Sequence, residues 1–90
     1  ISLNQNFPNP FNPSTTISLE LDKRTSGTLV IYNINGQVVK TLYNGFISPG
    51  LTSFQWDGND QAGLSVSGGT YIYRLLIDGY TQSQKMVLLK

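Results

Sequence analysis

The sequence predicts an all-β antiparallel sandwich of about seven short strands. Apolar and polar residues alternate through most of its apolar stretches, and turn residues separate these stretches about every 8–12 residues. No stretch keeps the helical period of about 3.6 residues. The 90 residues suffice for one domain. We therefore expect a single domain over 1–90, with a lead-in over 1–14 and the sandwich over 15–90, as one part of a longer protein.

The lead-in is rich in asparagine and proline between residues 6 and 13. A residue before proline is pushed toward extended conformations, and proline itself removes a backbone donor, so this segment cannot pair as a central strand. We expect it to run extended along an edge of the fold, with Phe7 and Phe11 anchored in the apolar interior. A recognition motif is the alternative, but proline at a sheet edge already has a use, because it protects that edge from other chains.

Strand candidates follow at regular spacing. Ile17, Leu19 and Leu21 alternate with polar residues, whereas the mainly apolar run over 28–34 predicts a central strand. The sole tryptophan, Trp56, is expected at the centre of the core. The predicted strands cover residues 16–22, 28–34, 38–43, 51–57, 69–78 and 80–90.

Two dipeptides that end in glycine mark turns between these strands. Asn35-Gly36 and Asp78-Gly79 each predict a two-residue hairpin turn of type I′, because Asn, Asp and Gly tolerate a positive φ. The other predicted connections are a polar turn over 23–27, a longer loop over 44–50 and a polar loop over 58–63.

Composition and charge argue against several function classes. The net charge of +1 leaves no electrostatic footprint for nucleic acid or acidic lipid, and no apolar run approaches a membrane span. The chain has no histidine or cysteine, which removes the commonest general base, nucleophile and metal ligands. Glu20 and Asp22 share the solvent face of one strand, with no sign of the enclosed cleft that shifts a catalytic pKa. We expect no enzyme activity and no cofactor.

The loop after Trp56 places three oxygen ligands close together, on Asp57, Asn59 and Asp60. A calcium ion could use such ligands, but the periodic spacing and the closing glutamate of an EF-hand are missing. Asx side chains more often cap turns by bonding their own backbone. A capped turn is therefore the favoured interpretation, and a calcium site is the alternative.

Aromatic residues could also stack on sugars, which requires a flat and exposed aromatic row. Tyr71 and Tyr73 occupy alternating positions of a predicted strand, which places them in the core together with Trp56. The residues that could still be exposed are Tyr32, Tyr43 and Tyr80.

Five blocks of the sequence resemble, in order, the type A C-terminal sorting domains of the type IX secretion system. They cover residues 3–15, 31–39, 56–63, 67–75 and 85–90. The chain is also similar to the Ig-like domain of flagellar hook capping proteins, mainly through its third block. The residues of the first and third blocks that carry the structural motif are Pro8, Asn9, Pro10, Phe11, Trp56, Asp57 and Gly58.

The resemblance implies an Ig-like sandwich that serves as a secretion signal in a Gram-negative bacterium of the Bacteroidetes type. The domain would direct an upstream passenger domain through the periplasm and the outer-membrane secretion machinery to the cell surface or the medium. We expect a monomer with neither a membrane span nor a nucleic-acid partner. The residues that the resemblance assigns to translocon recognition are Lys85, Met86, Val87, Leu88, Leu89 and Lys90, with Gly69 and Tyr71.

The final strand is the element on which this function depends. A strand paired on one side only can accept a partner strand along its free edge, and Lys85 and Lys90 flank its apolar run. The alternative is that the apolar residues only fill the core, while the lysines protect the edge from aggregation. The corresponding alternative function is a passive Ig-like accessory or carbohydrate-binding domain beside a secreted enzyme.

Overall fold

Alternating polar and apolar residues form seven strands in the computed structural model, which describes residues 1–90. The two-residue strand β1 lies inside the lead-in, where the sequence predicts no strand. The strands are β1 (Ser2–Leu3), β2 (Thr15–Leu21), β3 (Thr25–Asn33), β4 (Val38–Ile47), β5 (Gly50–Trp56), β6 (Gly69–Ile77) and β7 (Tyr80–Leu88).

The strands form two antiparallel sheets that pack face to face, which confirms the predicted all-β Ig-like sandwich. One sheet has three strands in the order β1-β2-β5, and the other has four in the order β4-β3-β6-β7. The chain passes from the second sheet to the first between β4 and β5. β3 lies inside its sheet with Leu29, Val30 and Ile31 all buried, as expected of a central strand. No helix in the structure is long and apolar enough to cross a membrane.

Trp56 lies at the centre of the core, as predicted, and is fully buried. Its ring packs against Phe11 and Tyr71, with ring centroids 5.8 Å and 5.3 Å away. The indole Nε1 donates a hydrogen bond of 2.9 Å to the carbonyl of Asn59, so the polar end of the side chain is satisfied. The other fully buried apolar side chains are Ile17, Leu19, Leu29, Ile31, Tyr73, Leu75, Met86 and Leu88.

One of the two predicted type I′ turns is confirmed. Asp78 and Gly79 have φ values of 49° and 80°, and they close the β6–β7 hairpin. The other prediction is wrong, because only Gly36 of the Asn35-Gly36 pair has a positive φ. The Asn33 side chain explains the difference: its Oδ1 accepts hydrogen bonds of 3.0 Å from the amides of Asn35 and Gln37 and begins the turn earlier.

Two of the predicted strands are too short. β3 begins at Thr25 within the predicted polar turn, and β4 continues to Ile47 within the predicted loop. The two extensions pair with each other, and Gly27 stands opposite Gly45 at their centre. A Cβ on Gly27 would lie 3.2 Å from Ile47 Cδ1, so glycine here allows close packing and does not signal a turn.

The lead-in runs along the edges of the fold, but only one of its predicted anchors is buried. Phe11 is 2% exposed, whereas Phe7 is 78% exposed, so the prediction for Phe7 is wrong. The backbone of Phe7 pairs with Thr16 and turns its ring outward, while the buried neighbour is Asn6. Asn6 Nδ2 donates to Thr15 Oγ1 at 3.0 Å, which satisfies a buried polar side chain that the hydrophobic pattern does not reveal.

Tyr73 makes the stability of the domain sensitive to high pH. Its hydroxyl donates a 2.6 Å hydrogen bond to the carbonyl of Asn4, and burial raises its pKa to about 12. Because the folded state holds this proton more tightly than the unfolded state, its contribution is complete below pH 10 and is lost as the pH rises toward 12. We expect the free energy of unfolding to fall by about 2 kcal/mol over this range.

Chemical denaturation at a series of pH values checks this prediction. Tyr73→Phe should be less stable than the wild type at neutral pH, since it lacks the bond to Asn4, but its stability should fall less steeply at high pH. Equal slopes for the two proteins would contradict a buried, protonated Tyr73.

Candidate functional site

β7 is the outer strand of the four-stranded sheet, and its side chains alternate between the core and the solvent. Met86 and Leu88 point inward and are fully buried or nearly so, while Lys85 and Leu89 are exposed. Val87 is partly buried. The predicted recognition segment is therefore divided, with one face that holds the strand in place and one that faces outward.

The outer edge of β7 is closed by the lead-in over residues 85–89, which corrects the expectation of a strand paired on one side only. The Phe11 amide donates to the Val87 carbonyl at 2.9 Å, and the Leu89 amide donates to the Phe11 carbonyl at 2.8 Å. Two amide side chains complete the cover: Gln5 Nε2 donates to the Lys85 carbonyl at 2.7 Å, and Asn9 Oδ1 accepts from the Val87 amide at 3.0 Å. The two side chains thus supply one donor and one acceptor where the proline-rich segment does not pair through its backbone.

The two lysines of the predicted site are placed differently. The ammonium group of Lys90 donates to Ser65 Oγ and to the carbonyl of Val66, so the loop before β6 holds it. Lys85 is exposed, and its ammonium group makes no hydrogen bond within the chain. Lys90 thus uses two of its three donors within the chain, whereas all three donors of Lys85 are free for a partner.

Gly69 and Tyr71, the other two predicted recognition residues, lie beside the end of β7. Gly69 pairs with Leu88 and Tyr71 pairs with Met86. Tyr71 is buried, its hydroxyl donates to the Ser67 carbonyl at 2.6 Å, and burial raises its pKa. Gly68 comes close to the chain end, because a Cβ there would lie 3.2 Å from the Leu88 carbonyl oxygen. Tyr71 therefore supports this end of the sandwich, and its part in translocon recognition stays a prediction.

The acidic loop after β5 is a pair of capped turns, as the favoured interpretation predicts. Asp57 Oδ1 accepts from the Asn59 amide at 3.2 Å, and Asp60 Oδ1 accepts from the amides of Ala62 and Leu64 at 3.0 and 2.9 Å. No group of three or more His, Cys, Asp or Glu side chains is placed to hold a metal ion. Both carboxylates thus bond backbone amides of their own loop, and the alternative calcium site at Asp57, Asn59 and Asp60 stays a prediction.

Gly58 lies where the lead-in, this loop and β7 meet. It is buried and has a φ of 78°, and a Cβ built on it would lie 3.2 Å from the Pro13 carbonyl oxygen and 3.7 Å from Leu88 Cδ2. Pro8, Asn9 and Pro10 are exposed on the lead-in before this contact. The structural-motif residues thus form one end of the sandwich around Trp56.

Substituting Gly58 tests how tightly this end is packed. Gly58→Ala should lower the free energy of unfolding by about 1–2 kcal/mol for the positive φ, and by roughly 1–3 kcal/mol more for the contact with Pro13. Gly36 is a matched control, because its φ is 80° and nothing lies within 4 Å of its would-be Cβ. Urea denaturation of both variants should show the larger loss for Gly58→Ala, and equal losses would mean that the contact is not tight.

The sequence did not predict the contacts that several polar residues make at this site. Gln5 and Asn9 reach β7 from the lead-in, and Gln82 and Gln84 reach β1 from β7. The Leu3 amide donates to Gln82 Oε1 at 3.0 Å, and Gln84 Nε2 donates to the Leu3 carbonyl at 3.2 Å. One signal could have found the second pair: both glutamines share the inward face of β7 with buried Met86, where a polar residue needs a partner.

The family of the chain follows from this framework. Residues 6–76, from the lead-in through β6, match the family model described as the FlgD Ig-like domain. The chain belongs to this family. The match confirms the resemblance to the domain of flagellar hook capping proteins, and members of the FlgD Ig-like family are typically non-catalytic structural domains. It ends before β7, so the strand with the predicted recognition residues lies outside it.

Solved structures are similar to this FlgD Ig-like domain over most of its length. FlgD from Pseudomonas aeruginosa is 31% identical, covers 83% of this chain and has a TM-score of 0.61. A truncated FlgD from Helicobacter pylori is 25% identical, covers 92% of this chain and has a TM-score of 0.62. PorZ, a surface component of the type IX secretion system of Porphyromonas gingivalis, is 17% identical, covers 96% of this chain and has a TM-score of 0.66.

The chain spans only part of each of these proteins, namely 60% of the Pseudomonas FlgD, 63% of the truncated Helicobacter FlgD and 11% of PorZ. No curated protein matches the sequence. At 17% identity, the likeness to PorZ shows a shared fold. The comparisons therefore identify the FlgD Ig-like family and its sandwich.

Proposed function

We propose that this FlgD Ig-like domain is a C-terminal sorting domain of the type IX secretion system. In this role it directs an upstream passenger across the outer membrane of a Gram-negative bacterium to the cell surface or the medium, without catalysis of its own. The observation that carries the proposal is the ordered set of five sequence blocks that ends with Lys85 to Lys90. Support comes from the fold shared with PorZ, a surface component of that system.

The packing of the blocks against one another gives further support. Phe11 of the first block contacts Trp56 of the third, and Tyr71 of the fourth contacts Trp56 from another side. Leu88 of the last block lies beside Gly58 of the third. Segments far apart in sequence thus build a single end of the sandwich, which would hold the last block in a fixed position for a receptor.

Lys85 is the residue through which we propose that the machinery reads this strand. Its exposed ammonium group is free, whereas Lys90 is held by Ser65 and Val66. Met86 and Leu88 fill the core and contribute by positioning the strand. A partner that contacts the end of the domain thus meets Lys85 and exposed Leu89.

A secretion assay tests the proposal. Residues 1–90 are fused to the C-terminus of a periplasmic reporter in a bacterium with a type IX system, and the reporter is followed to the cell surface and the medium. We expect export by the wild type, reduced export by Lys85→Gln, and unchanged export by Lys23→Gln, which removes an exposed lysine in the β2–β3 turn. A folded fusion that stays in the periplasm would overturn the proposal.

A passive Ig-like accessory role is the second candidate, and the family match over residues 6–76 favours it. Its carbohydrate-binding form needs an exposed aromatic row. Trp56, Tyr71 and Tyr73 are buried, and exposed Phe46 and Tyr80 lie on different strands, β4 and β7. A pull-down with polysaccharides checks this form, and retention on a polysaccharide without export of the reporter would favour it over sorting.

A further inference from the structure

We propose that residues 81–85 of β7 are a docking site for an extended acidic peptide segment of a partner protein, which joins the four-stranded sheet as an added strand. This stretch precedes most of the covered part of the edge, and only its last residue, Lys85, belongs to the segment to which the sequence assigns recognition. The inference does not rest on the sorting role, because it concerns a surface of the isolated domain.

In this stretch, the amide and carbonyl groups of every second residue point away from the sheet. Because the turn has two residues, Ile77 and Tyr80 are the hydrogen-bonded pair that closes the hairpin. The backbone groups of even-numbered β7 residues therefore bond to β6, and those of odd-numbered residues point to the outer edge. The lead-in takes the outward groups from the Lys85 carbonyl onward. The outward groups of Thr81 and Ser83, and the amide of Lys85, have no such cover.

β1 passes nearby without closing this edge. Leu3 bonds to the inward side chains of Gln82 and Gln84, and its strand pairs with β2 in the other sheet. The gap between β1 and the Gln5 contact therefore exposes a short, regular strand edge. Such an edge is a template for strand addition.

The free edges of the other outer strands differ from this one. β4 carries two register shifts, and Gln61 covers its edge by accepting from the Thr41 amide and donating to the Val39 carbonyl, both at 3.0 Å. Bulges and such cover prevent regular pairing. β5 has no charged side chain along its length. Residues 81–85 combine an open edge with charge.

The charge beside this edge is positive. A shallow groove of about 450 Å³ follows it, lined by Gln5, Ile72, Arg74, Ser83, Gln84 and Lys85. Arg74 is fixed in place, since its Nε donates to Ser83 Oγ at 3.2 Å and its guanidinium carbon lies 5.1 Å from the centroid of the Tyr32 ring. Its terminal nitrogens remain free for a carboxylate, and Lys85 lies diagonally across the two strands.

These features identify the occupant. Unpaired backbone groups along an edge favour a peptide in extended form, because a peptide repeats the matching donors and acceptors at strand spacing. Two cations without a carboxylate in the groove favour acidic side chains at alternate positions. A second copy of this chain is a poor occupant, because pairing along the same edge would bring together Arg74 and Lys85 of both copies.

A binding experiment with the isolated domain tests this proposal, and the probe is a short blocked peptide in which Glu alternates with Thr and Val. We expect amide NMR shifts centred on residues 81–85, and binding that weakens as salt is added. The double variant Arg74→Gln/Lys85→Gln should bind about tenfold more weakly or worse. Lys23→Gln and a peptide with Gln in place of Glu are the controls.

Ser83→Pro tests how much backbone hydrogen bonding contributes to peptide binding. The substitution removes an outward amide and leaves the hydrogen bonds to β6 intact. We expect it to abolish binding while the domain stays folded, and if it unfolds the domain, the charge variant decides. The proposal is overturned if the Gln peptide binds equally well, if the shifts map to β5, if nothing binds, or if the free domain dimerises through this edge. None of these outcomes bears on export of the reporter, so the two proposals fail separately.

Discussion

Replacing Trp56 with alanine is expected to lower the free energy of unfolding by about 3–5 kcal/mol, which is much of the stability of a domain of this size. The indole is fully buried and contacts Phe11 and Tyr71, so its loss leaves a cavity between the sheets. The substitution also leaves the Asn59 carbonyl without its donor. Urea denaturation followed by far-UV circular dichroism measures the change.

Trp56→Phe is the matched control, because it keeps an aromatic ring and loses the hydrogen bond to Asn59. We expect a loss of roughly 1–3 kcal/mol for this variant, from the unsatisfied carbonyl and the smaller ring. If Trp56→Ala cost no more than Trp56→Phe, the indole would not be the centre of the core.

Removal of residues 85–90 should leave a chain that does not fold cooperatively. The truncation deletes two buried side chains, Met86 and Leu88, each expected to contribute about 2–5 kcal/mol. It also deletes the backbone partners of Phe11 and exposes the edge of β6 beside Tyr71. A broad or absent urea transition is the expected result, and a sharp one would contradict it.

This expectation determines how the last strand can be studied in export. A truncated fusion that stays in the periplasm would not distinguish a lost signal from a lost fold. Lys85→Gln keeps both buried side chains and every backbone bond of β7. Its free energy of unfolding should therefore lie within about 0.5 kcal/mol of that of the wild type. With this substitution, a change in export reports on recognition and not on the stability of the domain.

The features that the sequence predicted correctly depend on local pattern. The period of two along β2 and β6 placed Ile17, Leu19, Tyr73 and Leu75 in the core, because alternate side chains share a face. The Asp78-Gly79 turn was predictable since both residues accept the backbone that a two-residue hairpin requires. Asx capping at Asp60 has the same local origin.

The errors arose where a hydrogen bond that the hydrophobic pattern does not reveal decides the outcome. Gln5 and Asn9 meet β7 about 80 residues further along the chain, and nothing near them in sequence indicates this contact. Phe7 was predicted to be buried by its hydrophobicity, but its pairing with Thr16 turns the ring to the solvent. Asn33 moved the first hairpin turn through side-chain bonds that compete with the type I′ geometry.

The recognition segment, residues 85–90, could also be predicted only in part. The sequence left open which face of the segment is buried, because Met86 to Leu89 form an unbroken apolar run, and in the structure Met86 and Leu88 face the core. The different states of Lys85 and Lys90 were not readable, because the partners of Lys90 lie in the loop that holds Ser65 and Val66. That the segment is the site of translocon recognition stays a prediction.

The contact between Phe11 and β7 also sets the time at which folding can finish. Val87 and Leu89 follow Phe11 by 76 and 78 residues, and Phe11 cannot bond to them before they have been synthesised. Contacts between residues so far apart in sequence form slowly, since a long loop must close first. During synthesis from the N-terminus, the lead-in therefore has no partner along β7 until the last strand of this domain has been made.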